Sequence, residues 1–357
     1  MKSFGWKRKV CFEIDQKGHN VWGNWFAILN KGTFCEGDAI PYVPVSTVEK
    51  EDVKKALQKC FDYFSLTGKR ATDFIDWIGY AIGIAWCSEK PNITEKVELF
   101  LEEHFPWEGL IQHPADYMST FLVLNGSSGN LEYYPTPMTI TTAISRMLNI
   151  SVEPNLTDSV LEPCLGPGAM LLPVKALNLV GMDLSLLMVK AACIQAFFYK
   201  PSLLFVPTPI VGIHAHPVEK RIHQYFEVKT DSRIYWGNSL FGEFQAPKNI
   251  FIQDSEFEDV YVNPYQESLR EIHQYRDWLK EEWSSIDVER RKILVGVMAR
   301  EHKFTVVMSN PPFGKMNALD IEKMKTIEKE NIQFYESLQA PIDVIEDIPS
   351  IGQLQLF

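Results

Sequence analysis

The chain has 357 residues, of which 46% are hydrophobic and 23% are charged, a composition typical of a globular protein with one large or two smaller domains. Its formal net charge of −11 argues against a protein that coats nucleic acid by bulk electrostatic attraction, although it does not exclude a local basic cleft. The six cysteines form no Cys-x-x-Cys pair, and no signal peptide or membrane-length apolar run is found, so we expect a reduced, cytoplasmic protein without a membrane segment.

Residues 1–130 predict a mostly helical region in which nothing indicates chemistry. Its opening part, residues 1–45, is rich in Gly and Trp and favours irregular or weakly β structure. We interpret region 1–130 as structural packing, and the polar loop Gly126–Asn130 separates it from a second region, residues 131–315.

Helical spacing begins after Ser46 and Thr47, either of which is suited to cap a helix. The apolar positions of that helix recur at intervals of three and four residues: Val53, Ala56, Leu57, Cys60, Phe61 and Phe64. Two further helices are predicted, from Thr72 to about Trp86 and from Thr94 to about His104.

The second region opens with Tyr134-Pro135-Thr136-Pro137, directly ahead of a predicted helix from Met138 to Leu148. Proline suits the first turn of a helix, so the local sequence by itself favours a proline-stiffened helix start. The expected apolar face of this helix consists of Ile140, Ala143, Ile144 and Met147.

A glycine-rich stretch from Ser159 to Met170 predicts a strand, a tight turn and then a helix. Gly166 and Gly168 allow the backbone to approach a ligand closely, and a helix N-terminus would follow them. The stretch lacks the third glycine of a dinucleotide fingerprint and the Gly-Lys-Ser/Thr of a P-loop.

A second strand, from Leu179, ends in Asp183 about 20 residues after the first. This is the spacing at which a carboxylate at a strand end meets ribose hydroxyls in doubly wound folds. Asp183 is therefore a candidate ribose-binding residue, and the alternative is that it caps the apolar helix that follows from Leu186 to Phe198.

The β-branched run that begins at Val306 stops at Asn310-Pro311-Pro312-Phe313, which predicts a buried parallel strand with Asn310 at its carboxyl end. The Asn310 amide offers one acceptor oxygen and two donor hydrogens, and the carbonyl of Pro311 can only accept. Together with the aromatic face of Phe313, these groups suit a flat heterocycle that carries an exocyclic amine.

Asn-Pro-Pro-Phe after an apolar strand resembles the catalytic motif of the S-adenosylmethionine-dependent methyltransferases that modify N6 of adenine in DNA. The resemblance covers residues 130–315, and the other motifs follow in the family's order. It implies an α/β fold, a Rossmann-like methyltransferase sheet preceded by a mostly helical region. It also implies S-adenosylmethionine as the cofactor, bound by Tyr134, Thr136, Pro137, Glu162, Pro163, Gly166, Gly168, Asp183, Asn238 and Ser239.

In this resemblance the catalytic residues are Asn310, Pro311, Pro312 and Phe313, and the target adenine is rotated out of the duplex. Asn310 and the Pro311 carbonyl would accept the two hydrogens of the adenine amine and free its lone pair for in-line attack on the methyl group. Phe313 would stack on the base, with Tyr134 as a second wall.

The chain departs from the family pattern in two places. An insertion of about residues 241–303 precedes the catalytic strand, and only 44 residues follow Phe313. We therefore expect a sheet truncated after the fourth strand and a final region, 316–357, made of a charged helix from Asp320 to Leu338 and an acidic tail. A second subunit would then supply the missing strands or target recognition.

The last residues resemble the peptide by which bacterial proteins dock on the DNA polymerase sliding clamp. Its anchors would be Gln353, Leu354, Leu356 and Phe357, and the alternative is a frayed terminus. Clamp tethering would raise the local concentration of DNA for an acidic protein.

These observations lead to one main hypothesis, an adenine-specific DNA methyltransferase of bacterial, phage or plasmid origin. It would belong to a restriction-modification system and be either complete or one part of a split enzyme. One alternative is a catalytically inactive methyltransferase fold that binds DNA or the clamp. Another is a methyltransferase for RNA or protein glutamine. His214, His216 and His223 could be imagined as a metal site, but we expect loop histidines and no metal.

Overall fold

A computed structural model describes most of the first two thirds of the chain and short parts of the rest. The described residues are 2–31, 33–35, 39–126, 134–148, 159–176, 178–204, 206–215, 222–229, 233–238, 243–245 and 306–310, with Thr326 and Lys329. The chain divides into two compact units, residues 1–312 and 313–357. In the second unit, only the helical conformation of Thr326 and Lys329 is described.

The amino-terminal region is mostly helical, as predicted. Its helices are α1 (Arg8–Lys17), α2 (Val21–Lys31), α3 (Glu51–Ser65), α4 (Ala71–Ile82), α5 (Glu95–His104), α6 (Trp107–Gln112) and α7 (Tyr117–Asn125), followed by α8 (Met138–Met147). No helix among the described residues combines the length and the apolar character that crossing a membrane requires.

The prediction of irregular or weakly β structure for residues 1–45 is wrong for residues 8–31, where α1 and α2 form, whereas Thr33–Cys35 is a short strand and residues 39–45 are irregular. Asp15 near the end of α1 stabilises the start of α2, since its carboxylate accepts hydrogen bonds from the backbone N–H groups of Val21 and Trp22 at 3.1 and 2.9 Å. The Trp22 indole donates to the carbonyl of Phe197 at 2.8 Å. Contacts with residues distant in sequence therefore stabilise helices in a segment whose local helix propensity is weak.

Helix boundaries agree with the sequence in one case and differ in two. Helix α5 begins where predicted, and Thr94 caps it by accepting from the backbone N–H of Val97. Helix α3 begins at Glu51 after an N-cap at Lys50 instead of Ser46 or Thr47, because the Ser46 hydroxyl is used in a local turn with Val48. Helix α4 ends at Ile82, short of Trp86, because the next residue is a glycine in the left-handed region at φ +80°.

Helix α8 has the predicted bounds but packs through the opposite face. Its buried residues are Met138, Thr141 and Ser145, whereas Ile140 and Met147 are 49% and 84% exposed. The hydroxyl groups can be buried because each has a carbonyl partner: Thr141 donates to Met138 within the helix and Ser145 donates to the carbonyl of Pro173.

The fold is mixed α/β, with a five-stranded sheet in the order β7-β6-β3-β2-β8. Its strands are β2 (Ser159–Glu162), β3 (Asn178–Asp183), β6 (Ile234–Asn238), β7 (Glu243–Gln245) and β8 (Val306–Val307). The pairs β2–β3, β2–β8 and β3–β6 are parallel, and only the edge strand β7 runs antiparallel to its neighbour. The carboxyl ends of four strands therefore meet at one edge of the sheet.

A second sheet was not anticipated from the sequence. It contains β1 (Thr33–Cys35), β4 (Val206–Ala215) and β5 (Ile222–Lys229) in the antiparallel order β1-β5-β4. His214 and His223 stand opposite each other in this pairing, so the expectation of loop histidines is wrong for these two positions. His216 lies outside the described residues, and the described part of the chain holds no cluster of three metal-ligating residues.

Helix α9 (Leu186–Tyr199) joins the amino-terminal helices to the parallel sheet. It is buried along most of its length and contacts α4, α6 and α7 as well as β3 and β6. Regions 1–130 and 131–315 consequently share one hydrophobic core over their described residues.

Candidate functional site

Three of the predicted site residues lie at the carboxyl ends of neighbouring parallel strands. Glu162 ends β2 and Asp183 ends β3. Asn310 follows β8, whose pairing with β2 continues through a hydrogen bond from the Met308 N–H to the Leu161 carbonyl at 2.9 Å. In open α/β sheets, ligands bind outside this end of the strands.

The segment after β2 is a series of turns instead of the predicted turn and helix. Gly166 and Gly168 adopt positive φ values of 54° and 99°, which a regular right-handed helix does not contain. Short-range bonds follow, from the Gly168 N–H to the Leu165 carbonyl and from the Leu171 N–H to the Gly168 carbonyl. The predicted helix N-terminus is therefore absent from the described segment 163–173, which instead presents a folded loop.

Asp183 ties this loop to the end of β3. Its Oδ2 accepts from the Gly166 N–H at 2.7 Å, and its Oδ1 accepts from the Ser185 N–H at 2.8 Å, one residue before α9. Burial raises the pKa of this carboxyl, and the two N–H donors oppose the rise. Asp183 therefore bonds the N-cap residue of α9 without capping the first-turn N–H groups of that helix, and ribose binding stays a prediction that would use the second lone pair of each oxygen.

Glu162 is fully buried, and only one of its two carboxylate oxygens has a hydrogen-bond partner. Its Oε1 accepts from the Cys164 N–H at 3.0 Å, whereas its Oε2 has no hydrogen-bond partner. Burial raises the pKa of Glu162 to about 8, the Cys164 N–H and the nearby Ser309 hydroxyl oppose this rise, and Asp183 adds to it. A buried acceptor without a donor is costly, so this oxygen is suited to meet a donor or a cation from a ligand.

Asn310 is held by the segment ahead of α8. Its Nδ2 donates to Thr136 Oγ1 at 2.8 Å and to the backbone carbonyl of Tyr134 at 3.3 Å. The Pro137 carbonyl in turn accepts from the Ile140 and Thr141 N–H groups at the start of α8. The Tyr-Pro-Thr-Pro segment and the Asn310 motif are thus in direct contact, although 174 residues separate Thr136 from Asn310.

Other predicted site residues are less completely described. Pro163 follows Glu162 directly, and Asn238 ends β6 opposite Glu243 of β7. Several predicted site residues lie outside the described part of the chain. They are the cofactor candidate Ser239, the catalytic candidates Pro311, Pro312 and Phe313, and the tail residues Gln353, Leu354, Leu356 and Phe357.

A polar brace that sequence analysis did not predict joins the amino-terminal helices to the glycine loop. The Gln195 amide donates to Asp116 Oδ1 and to the Pro167 carbonyl, both at 2.8 Å. Asp116 also caps α7 through the Ser119 N–H, and burial raises its pKa. The one available signal was a glutamine in the otherwise apolar second half of α9.

A cavity of about 430 Å³ borders the Thr136 segment. Asp116, Glu49 and Lys54 line it together with Thr136 and Pro137. Its volume lies within the range of small-molecule sites, and its carboxylates outnumber the single lysine. The cavity therefore offers a polar space next to the residue that holds Asn310.

The residues present fit S-adenosylmethionine, which carries a sulfonium and an ammonium group. Glu162 provides an unsatisfied buried acceptor, Asp183 adds a second carboxyl group, and the backbone at Gly166 and Gly168 forms a compact loop beside them. Comparison of the chain with protein-family models, curated protein sequences and solved structures gave no match.

Proposed function

We propose that this protein transfers a methyl group from S-adenosylmethionine to N6 of an adenine rotated out of DNA. The observation that carries the proposal is the meeting of Glu162, Asp183 and Asn310 at the carboxyl ends of adjacent parallel strands. This brings a motif for a cationic cofactor and a motif for a planar amine to one edge of a sheet.

Strand order supports a Rossmann-like sheet for this proposal. The parallel strands β2, β3, β6 and β8, numbered in chain order, lie in the spatial order 3-2-1-4. In doubly wound folds the order reverses between the first and fourth strands, and ligands bind in the crevice at this switch point. Glu162 and Asn310 belong to the two strands on either side of it.

Bound S-adenosylmethionine would supply an electrophilic methyl group. Glu162 and the Gly166–Gly168 loop would hold its methionine part, and Asp183 would bind the ribose hydroxyls. Asn310 Oδ1 would accept one hydrogen of the target amine, which holds the nitrogen in place and draws its lone pair out of conjugation with the ring. The nitrogen would form the new bond to the methyl carbon, the carbon–sulfur bond would break toward sulfur, and one amine proton would pass to solvent.

Methyl transfer by the full chain tests this function directly. The protein is incubated with labelled S-adenosylmethionine and unmethylated duplex DNA, single-stranded DNA or RNA, and the digested product is identified by mass spectrometry. We expect N6-methyldeoxyadenosine, and we expect Asn310→Ala to lower the rate about 100-fold or more because it removes the acceptor. Asn92→Ala, at an exposed loop position, is the matched control. Transfer that persists in Asn310→Ala, or a methylated product other than adenine, contradicts the proposal.

One observation favours a second candidate, a methyltransferase fold that binds DNA or the sliding clamp without catalysis. Both carboxylate oxygens of Asp183 already accept backbone N–H groups, so this side chain has a structural role independent of any ligand. Calorimetric titration with S-adenosylmethionine separates the candidates. Absence of cofactor binding supports the second candidate, whereas binding without transfer to any of the nucleic acids indicates that the proposed second subunit is required.

The proposed partners follow from the chemistry of the reaction. DNA is the substrate, and the net charge of −11 means that a local cleft or a tether must supply the affinity. The proposed tether is the Gln353–Phe357 peptide bound to a bacterial sliding clamp, and a second subunit is proposed for target recognition. A peptide with these residues immobilised on a surface, and a copy in which Leu356 and Phe357 are replaced by Ala, would test clamp binding separately.

A further inference from the structure

We propose that Thr136 is a positioning residue for Asn310, a role beyond the cofactor contact implied by the family resemblance. This inference rests on the proposed function, since Asn310 is there the acceptor for the target amine. It starts from the two hydrogen bonds of the Asn310 amide group, to Thr136 Oγ1 at 2.8 Å and to the Tyr134 carbonyl at 3.3 Å.

The partners themselves determine how the Asn310 amide is oriented. The Tyr134 carbonyl can only accept, so the nitrogen of the amide must face it, and a flipped amide would set two acceptors against each other. Both hydrogens of Nδ2 are then used by Tyr134 and Thr136. Oδ1 consequently lies on the side of the amide that faces away from these two residues, which is the orientation required to accept from a substrate amine.

Thr136 is well suited to hold a partner in one place. It lies between Pro135 and Pro137, and a residue before proline is restricted to extended backbone conformations. The Pro137 carbonyl is fixed by the first turn of α8. The Thr136 hydroxyl is half-buried and belongs to a short, stiff segment, so its oxygen can restrain the Asn310 rotamer with little loss of entropy on binding.

Tyr134 and Thr136 therefore have different roles in positioning the Asn310 side chain. The Tyr134 carbonyl selects which end of the amide points inward, and the Thr136 hydroxyl restrains the side chain in that orientation. A hydrogen bond to Oδ1 is then available to an exocyclic amine without prior rearrangement of the side chain. Because Thr136 touches Asn310 and no reacting atom in this scheme, its loss is expected to lower kcat and leave cofactor affinity unchanged.

The test compares Thr136→Val, which keeps the size of the side chain and removes the acceptor oxygen, with Thr136→Ser, which keeps the oxygen. We expect Thr136→Val to lower kcat roughly tenfold, the effect of about one hydrogen bond, with the KM and Kd for S-adenosylmethionine within about twofold of the wild type. Thr136→Ser is expected to restore most of kcat. Thr142→Val, on α8, is the matched control because Thr142 Oγ1 donates only to the helix carbonyl of Met138.

Two kinetic outcomes would overturn the inference. A raised KM and Kd for S-adenosylmethionine with kcat unchanged would make Thr136 a cofactor-binding residue. A Ser variant as impaired as the Val variant would show that side-chain size matters and the hydroxyl does not.

A spectroscopic measurement separates this inference from the proposed function. With ¹⁵N-labelled asparagine, the side-chain NH₂ signals of Asn310 are assigned by their loss in Asn310→Asp. We expect Thr136→Val to shift one of these proton signals and to speed its exchange with solvent, and Thr136→Ser to leave both nearly unchanged. Unchanged Asn310 signals in Thr136→Val would overturn the inference. Shifted signals in a protein that transfers no methyl group would overturn the proposed function alone.

Discussion

The backbone N–H of Gly166 donates to Asp183 Oδ2 at 2.7 Å, and this bond joins the loop after β2 to the end of β3. The other oxygen of the same carboxylate accepts from Ser185 ahead of α9. One side chain therefore fixes both the glycine loop and the start of a buried helix. A change at Asp183 should affect stability even when no ligand is bound.

We predict that Asp183→Ala lowers the free energy of unfolding by about 2–4 kcal/mol, because two backbone donors in a half-buried site lose a charged acceptor. Asp183→Asn should lower the free energy of unfolding less, because its amide oxygen can still accept from one of the two N–H groups. Urea unfolding monitored by circular dichroism measures both changes. The control is Asp62→Asn, at an exposed position on α3, which should stay within about 0.5 kcal/mol of the wild type. Equal effects at positions 183 and 62 would contradict the assigned role.

Glu162 should make stability depend on pH. Its pKa is raised from the usual 4.5 to about 8, so the folded state holds this proton more tightly than the unfolded state. Its contribution to stability is therefore full below about pH 4.5 and is lost as the pH rises toward 8. Glu162→Gln cannot ionise and keeps an oxygen for the Cys164 N–H, so it should gain stability relative to the wild type over that interval.

Urea unfolding of both proteins at several pH values between about 5 and 9 measures this difference. A constant difference between Glu162→Gln and wild type over that range would show that the carboxyl does not titrate differently in the folded state. The same pair tests cofactor binding. A cation beside Glu162 favours its charged form, so wild-type affinity for S-adenosylmethionine should rise with pH more steeply than that of Glu162→Gln.

The brace between the amino-terminal helices and the glycine loop gives a third prediction. Gln195→Met preserves size but removes the donors to Asp116 and to the Pro167 carbonyl, both in a buried environment. We expect a loss of about 2–4 kcal/mol in unfolding free energy, since the Pro167 carbonyl loses its donor and Asp116 keeps only the donors of Ser119 in a buried site. Gln112→Met is the control, because Gln112 bonds only Glu108 at the surface.

Cofactor affinity should fall together with stability in Gln195→Met, because Pro167 lies between the two glycines of the loop.

Asp116→Asn distinguishes the loss of the buried charge from the loss of the hydrogen bonds made by Gln195. It removes the buried charge but leaves an acceptor oxygen for Gln195, so it should disturb the loop less than Gln195→Met. A Gln195→Met protein with wild-type stability would show that the brace is unimportant.

Gly181 in β3 is required for close packing against the loop. A Cβ atom at this position would lie 2.6 Å from Leu165 Cδ2. Gly181→Ala should therefore lower the free energy of unfolding by about 1–3 kcal/mol through overpacking. Leu165→Ala removes the clashing methyl groups, and the double variant should be more stable than the sum of the single changes predicts. Thermal unfolding of the four proteins measures this coupling. Gly18→Ala, where the nearest atom would be 3.7 Å away, is the control.

The sequence was most informative where a segment's pattern and its environment agree. The runs that end in Glu162, Asp183 and Asn310 are short and apolar, and each forms a parallel strand with the polar residue at or just beyond its carboxyl end. Helix α5 begins at its predicted position because Thr94 bonds its own helix. These features depend on residues close in sequence, and local patterns are sufficient to predict them.

Prediction failed where distant residues decide the outcome. Residues 8–31 of the aromatic segment become helical because Asp15 bonds the first N–H groups of α2 and Trp22 bonds the Phe197 carbonyl, a contact across 175 positions. Helix α8 turns its hydroxyl-bearing face inward because Pro173 accepts from Ser145. Neither set of contacts produces a periodic pattern in the neighbouring sequence.

The amino-acid sequence alone was sufficient to predict the α/β class and the polar residues at or just beyond the ends of β2, β3 and β8, whereas the strand order and the second sheet appear only in the structure. Only the tertiary structure decided what those residues contact: Asp183 holds the Gly166 loop, Gln195 braces it, and Thr136 holds Asn310. The physical reason is that strand and helix formation follow from local periodicity and backbone preferences. A hydrogen bond between residues 174 positions apart exists only after the sheet and α8 have packed together.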